Sequence, residues 1–301
     1  MQLKSLDEVN INDFVAYCLK HRNEVDDSFL YDQDLEHFKF SSENPTYLVY
    51  SPANEVLAGV SLIIDDYHRR GRKGRFRIFH SEVDSREIYL LLWNALKPHL
   101  EGIDHVFMFV PFTNNQLVSR VEELGFQIER YTYVLVRQEK MTPSYQLPEG
   151  CQIRPFRPGL DEEIWCSVRN KSFATLKGSE TPITPDMVSK MVLDKDYIDG
   201  GMLLLYHFDH PIGVIKGAND TYEGKPIMNI GPVAIDPDYQ GKGLGRCLLR
   251  AALQMAKDKG YDQTILCVNT DNEGALALYL SESFIQVEGV ICYTYNLIEL
   301  S

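Results

Sequence analysis

Residues 236–256 read DPDYQGKGLGRCLLRAALQMA, and the reading of this stretch decides the fold. Gly241, Gly243 and Gly245 stand at alternate positions, between an apolar run ending at Ile235 and a segment with Leu248, Leu249, Ala252, Leu253 and Met255 at helical spacing. A helix beginning there offers unpaired N–H groups and the positive end of its macrodipole. Glycines remove the side chains that would hold a large anion away. A flexible strand-to-helix turn explains the glycines equally well on their own. The two common nucleotide motifs do not fit: no Gly-x-x-x-x-Gly-Lys-Ser/Thr is present, and the glycine spacing differs from Gly-x-Gly-x-x-Gly.

The surrounding chain bounds the answer. It has 301 residues, which favours two domains over one core. With 44% hydrophobic and 24% charged residues it has the makings of ordinary folded cores. A formal net charge of −13 gives no electrostatic gain on nucleic acid, so none is expected as a partner. Cys18, Cys151, Cys166, Cys247, Cys267 and Cys292 are scattered, which suggests neither a zinc site nor a disulfide framework. The opening MQLKSLDEVNINDF is polar and unlike a signal peptide. No apolar run approaches the roughly 20 residues that span a bilayer. A cytoplasmic protein with no membrane contact and no metal is the expectation.

One pattern occurs twice. NTDNEGALALYLSESF (269–284) and PFTNNQLVSRVEELGF (111–126) align when Phe284 is set on Phe126. Asn272 then meets Asn114, Ala275 meets Leu117, and Gly260 meets Gly102. TILCVN superposes on VFMFVP, and YTYNL from Tyr293 echoes YTYVL from Tyr131. An internal duplication follows. Residues 137–150, RQEKMTPSYQLPEG, are polar and aperiodic and read as a linker. The expected division is residues 1–140, a linker at 141–150, and a second domain at 151–301.

In the second half, strands are expected near 152–155, 202–206, 212–216, 228–235, 264–268 and 290–297, the second and third forming a hairpin about DHP. Helices are expected at 161–173, 184–193, 243–259 and 273–281. Alternating helices and strands with hairpins imply an α/β domain whose sheet is mixed, mostly antiparallel and flanked by helices.

With these pieces placed, the second half resembles the GCN5-related N-acetyltransferase (GNAT) superfamily. Gln240-Gly241-Lys242-Gly243-Leu244-Gly245 matches its Gln/Arg-x-x-Gly-x-Gly/Ala signature. Asn272, Ala275, Leu278 and Tyr279 match the Asn-x-x-Ala-x-x-Leu-Tyr of the following helix. The resemblance covers about residues 150–297, and the first half resembles the same fold more faintly. The tandem layout, with IRPFRPGLDEEIWCSVRNKSFA opening the second copy, is similar to members of the mycothiol synthase type.

The resemblance implies an acetyltransferase with acetyl-CoA as co-substrate and a small amine as acceptor. The backbone from Gln240 through Gly241, Lys242, Gly243 and Gly245 to Arg246 would face the pyrophosphate at a helix start. Backbone groups at Val233 and Ile235 would hold the pantetheine arm, and an N–H there would steady the developing oxyanion. Asn272 would contact the cofactor, cap its helix, or do both. Tyr279 would give a proton to departing coenzyme A; its bland alternative is an aromatic packing helix on sheet. Members of the mycothiol synthase type carry a Glu where this chain has Asn229, and Asn cannot take a proton. Glu223 lies upstream without a specific signal.

At the same alignment QGKGLG falls on EVDSRE (82–87) and Tyr279 on Val121, so the first half is expected to lack the pyrophosphate loop and the proton donor. A non-catalytic acyl-CoA-binding or regulatory module and a protein N-acetyltransferase are the alternative readings. The run HRRGRKGRFR (68–77) reads as a solvated hairpin or as a grip on an acidic group.

Overall fold

The chain passes through one series of elements twice. The structure, a computed structural model, describes residues 1–138 and 141–298. The first series is β1 (Gln2–Ser5), α1 (Ile11–His21), α2 (Asp32–Glu36), β2 (Thr46–Tyr50), β3 (Val56–Ile63), α3 (Asp66–Arg70), β4 (Lys73–Ser81), α4 (Arg86–Leu96), β5 (His105–Pro111), α5 (Asn115–Glu123) and β6 (Gln127–Arg137). The second is β7 (Cys151–Pro155), α6 (Glu162–Phe173), α7 (Pro185–Met191), β8 (Tyr197–His207), β9 (His210–Tyr222), β10 (Lys225–Ile235), α8 (Leu244–Asp258), β11 (Thr264–Asn269), α9 (Glu273–Ser281) and β12 (Ile285–Asn296). Among the described residues no helix is long and apolar enough to cross a membrane.

Two compact units result. The first comprises Met1–Thr132 together with the chain from Glu288 onward; the second is Tyr133–Val287. In the first, strands neighbour one another in the order β1-β2-β3-β4-β5-β12. In the second the order is β7-β8-β9-β10-β11, followed by the Tyr133–Arg137 part of β6. Both sheets are mixed: β4 runs parallel to β5 and β10 to β11, while the outer pairs are antiparallel. The expected architecture is therefore present.

These units differ from the expected division at the closing strands, which are exchanged. Val290–Asn296 pairs antiparallel with β5, and Tyr295 packs on Trp93 (5.0 Å between centroids) and Phe126 (5.1 Å) in the first core. Tyr293 donates to Glu122 at 2.7 Å. Leu135 instead lies in the second core, among Leu248, Leu249 and Leu266. The repeat explains why the sequence does not show this: YTYVL and YTYNL carry the same alternation, and either suits either sheet edge.

Two features of the second unit open a site. The buried Leu244, Leu248, Leu249, Ala252, Leu253 and Ala256 lay one face of α8 on its core. The β10–β11 ladder has only two pairs, Met228 with Thr264 and Asn229 with Ile265. Beyond them β10 keeps its partner β9 as far as Ile235 and Gly213, after a register shift between Ile230 and Val233. Among the described residues the far end of β10 thus has a ladder partner on one side only, and β11 splays from it.

The basic run is not a hairpin, although Arg69, Arg70 and Arg72 are exposed to solvent. It forms the end of α3, a turn and the start of β4. His68 bonds Asp65 at 2.7 Å, Arg70 bonds Asp66 at 3.0 Å, and Arg75 bonds Asp26 at 2.7 Å; Arg72 is paired with Asp104. His68 and Lys73 are buried. Arg70, Arg72 and Arg75 are thus each paired with a carboxylate of the first unit.

Candidate functional site

After Ile235 a short turn at Pro237–Tyr239 carries the chain to α8, with the Asp236 carboxylate accepting from Asp238 N at 3.0 Å. Gln240 Nε2 donates to Ile235 O at 3.0 Å and folds the loop back onto the strand end. Gly241 and Gly243 have φ of +75° and +77°, which an L side chain adopts only under strain. A Cβ at either position would meet nothing within 4 Å, so the space in front of both is open. Gly243 is the N-cap residue, and no side chain caps α8. The N–H groups of its first turn are left for an anion.

These residues border a cleft of about 780 Å³. One wall is Val233, Ala234 and Ile235 on the splayed strand. A second is the loop and first turn of α8, with Gln240, Gly241, Gly243, Gly245 and Arg246. A third is Asp271, Asn272, Ala275, Leu278 and Tyr279 on and before α9. Every expected site residue except Lys242 lines this cleft. The Lys242 ammonium instead donates to Asp238 O at 3.2 Å and lies over the Tyr239 ring. Arg246 is half-exposed and anchored on its inner side, with Nε 3.1 Å from the buried Glu282, which Arg250 also grips at 2.8 Å. Arg246 is thus a cation on the cleft wall, as Lys177 is.

Tyr279 is 7% exposed and packs against Phe284 at 5.9 Å between centroids. Its hydroxyl has no hydrogen-bond partner among the described residues. Burial pushes the phenol up to about 12. It therefore keeps its proton at neutral pH, on the wall of the cleft.

Asn272 is the N-cap of α9, its side chain accepting from Ala275 N at 3.3 Å, just as Asn114 caps α5 by accepting from Leu117 N at 2.9 Å. Capping is thus common to both copies. The cofactor role can be separated from it. Asn272→Ala should cost about 1 kcal/mol of stability in urea unfolding, and Asn272→Ser should restore most of it. Weaker acetyl-CoA binding in the Ser variant, measured by calorimetry, is the expected sign of a direct contact; unchanged binding leaves the cap alone.

The sequence missed one wall. Ser172, Phe173, Thr175, Leu176 and Lys177, at and beyond the end of α6, line the cleft as well, and Asn269 Nδ2 donates to Lys177 O at 3.2 Å. No spacing rule links this segment to a loop some 70 residues on. Asn229 turns its amide onto Asp220, with Nδ2 2.8 Å from Oδ2. Glu223 is exposed in the turn between β9 and β10 and lies outside the cleft-lining residues.

The first unit fills the corresponding positions differently. Glu82 pairs with Lys20 at 2.6 Å, Asp84 with Arg120 at 2.8 Å, and Glu87 accepts from Ser85 Oγ at 2.6 Å. Val121, the counterpart of Tyr279, is fully buried in the core. Asn114 Nδ2 donates to Glu24 O at 2.6 Å, which ties the turn after α1 to this place.

Residues 171–283, which hold the splayed strand, the glycine loop and Tyr279, match the model of the acetyltransferase (GNAT) family. The second unit carries a GNAT domain. Mycothiol acetyltransferases are among its relatives. That of Kytococcus sedentarius is 31% identical over 138 residues, covering 46% of each chain, and that of Salinispora arenicola is 31% identical over 164 residues, covering 52% of each. The match spans about half the length of these relatives. Solved structures share the fold across both units of the chain. A GCN5-related N-acetyltransferase from Sphaerobacter thermophilus has a TM-score of 0.69 at 18% identity, covering 98% of this chain and 95% of that one. A tandem GNAT protein from the clavulanic acid biosynthesis pathway has a TM-score of 0.70 at 11% identity, with 98% of both chains covered.

Proposed function

We propose that the second unit transfers an acetyl group from acetyl-CoA to a small amine. The observation that carries this reading is the single cleft that brings together an uncapped helix start, a strand edge without a ladder partner and a buried, protonated Tyr279. Acetyl-CoA would supply the acyl group. The first-turn N–H groups of α8 would bind its pyrophosphate, with Arg246 adding charge. The free edge of β10 at Val233–Ile235 would bond the pantetheine amides and present an N–H to the thioester oxygen. The Tyr279 hydroxyl would hold the proton that the departing thiolate takes up.

The first unit, with Val83, Ser85 and Glu87 in place of the glycines and further carboxylates at Glu82 and Asp84, acts in this reading as a lobe without a cofactor. Like charges there would repel a pyrophosphate. Calorimetry should give one acetyl-CoA per chain. Thiol release should then appear with at least one class in a panel of polyamines, amino acids, aminoglycosides and amino-thiols. The amino-thiols belong in it because the matched relatives are mycothiol acetyltransferases. Asn229, bonded to Asp220 where a base is usual, favours a second reading, a module that binds acyl-CoA without turning it over. Tight binding with no release across the panel would establish that module; failure to bind acetyl-CoA would overturn both readings.

A further inference from the structure

In the first unit, α1 ends on His21, the turn after it carries Glu24, and β4 brings in His80 near its end. The ligating atoms of these three side chains lie within 4.8 Å of one another. Glu24 stands between the two imidazoles. Its Oε1 is 2.8 Å from His21 Nδ1 and its Oε2 is 3.4 Å from His80 Nε2. The other nitrogen of each ring is held from behind. His21 Nε2 is 2.9 Å from Glu82 Oε1, and His80 Nδ1 is 2.7 Å from the Tyr17 hydroxyl. Glu82 is itself fixed by Lys20 at 2.6 Å. Tyr17 can accept from His80 because its own hydrogen reaches Leu57 O at 3.3 Å.

Each histidine has one nitrogen facing the Glu24 carboxylate and the other bonded outward to an acceptor that sets tautomer and ring orientation, as metal-binding histidines do, although the two rings stack at 4.3 Å between centroids. We propose that the first unit binds one zinc ion through His21 Nδ1, His80 Nε2 and the Glu24 carboxylate, with Glu82 and Tyr17 as the outer partners. Two imidazoles and a carboxylate suit zinc, and four-coordinate ligand atoms at about 2.0–2.1 Å from the ion lie roughly 3.3 Å apart. The Glu24 oxygens, at 2.8 and 3.4 Å from the two nitrogens, are near this spacing, and the stacked imidazoles would have to turn toward one ion to complete it. Both histidine side chains are 7% exposed, which shields the inner nitrogens, while Glu24 is 53% exposed and gives an ion a way in. The place is also distinctive. Glu82 aligns with Gln240, so the ion would pin the first unit where the second has its cleft. The proposal does not depend on acetyl transfer.

The test uses the full chain without a histidine tag, stripped by a chelator and dialysed. Zinc is titrated in competition with a chelating dye, and bound metal is counted by mass spectrometry. One zinc per chain with a Kd at or below about 1 μM is the expected result, and Glu24→Gln should weaken it at least about tenfold. Glu24 is the side chain to change first because its exposure lets the variant fold, which a circular dichroism melt would check. His80→Asn should do at least as much, and His210→Asn in the second unit should do nothing. Binding by Glu24→Gln equal to wild type, or less than about 0.1 zinc per chain at roughly 100 μM free zinc, would reduce the cluster to a hydrogen-bonded network and overturn the proposal.

Discussion

Tyr279→Phe should lower turnover by about 10²–10⁴-fold, with acetyl-CoA affinity nearly unchanged. The substitution keeps the ring and its packing on Phe284 and deletes only the hydroxyl. Because that hydroxyl has no partner among the described residues, its loss should also leave stability almost untouched. A partnered buried hydroxyl would cost roughly 1 kcal/mol. The pH dependence gives a second check. A phenol pushed up to about 12 is fully protonated below that pH and loses its proton only as pH rises through it. No alkaline limb from this group is expected below about pH 11. Against a thiol of reference pKa about 8.5 such a phenol is the weaker acid by roughly 3.5 units, about 5 kcal/mol for complete transfer in water. The same apolar surroundings that raise the phenol also raise the thiolate's affinity for a proton, so the two move together. Steady-state kinetics with equal kcat in both proteins would leave Tyr279 as a packing residue.

How much of this was legible depends on the range of the forces involved. The glycine loop, α8 and the Asn272 cap are local: φ preferences, helical spacing and side chain-to-backbone bonds act within a few residues, and all were read at the right positions. The length of β9 was not. Its last residues, Gly217–Tyr222, lack an apolar run, and they are strand because they pair with Lys225–Ile230 of β10. The exchange of closing strands was hidden by the repeat itself, since Tyr131–Leu135 and Tyr293–Leu297 present the same pattern to two similar edges. The basic run misled for a different reason. Its partners Asp26 and Asp104 are distant in sequence, and charge composition alone does not show that an arginine is already paired. The His21–Glu24–His80 cluster joins residues up to 59 apart and left no motif to find.

Gly243→Asp should reduce acetyl-CoA affinity by about 10²–10³-fold. The magnitude follows from charge. A carboxylate about 4 Å from one pyrophosphate charge, at an effective dielectric near 20, is repelled by roughly 4 kcal/mol, and solvent relaxation removes part of that. Stability should fall by about 1 kcal/mol, because residue 243 sits at φ +77°, where any L side chain is strained, although Asp tolerates that region better than most residues. Nor would it clash, since a Cβ at Gly243 meets nothing within 4 Å. The larger loss is therefore expected in binding, which separates an anion site from a turn that merely needs glycine. Gly243→Asn isolates the charge: it has nearly the same shape and the same tolerance of φ near +77°. Calorimetry should find the Asn variant within about tenfold of wild type, because it lacks the like charge. If Asn and Asp weaken binding equally, sterics and backbone geometry account for the glycine. If neither weakens it, the pyrophosphate lies elsewhere, and the first turn of α8 is not its site.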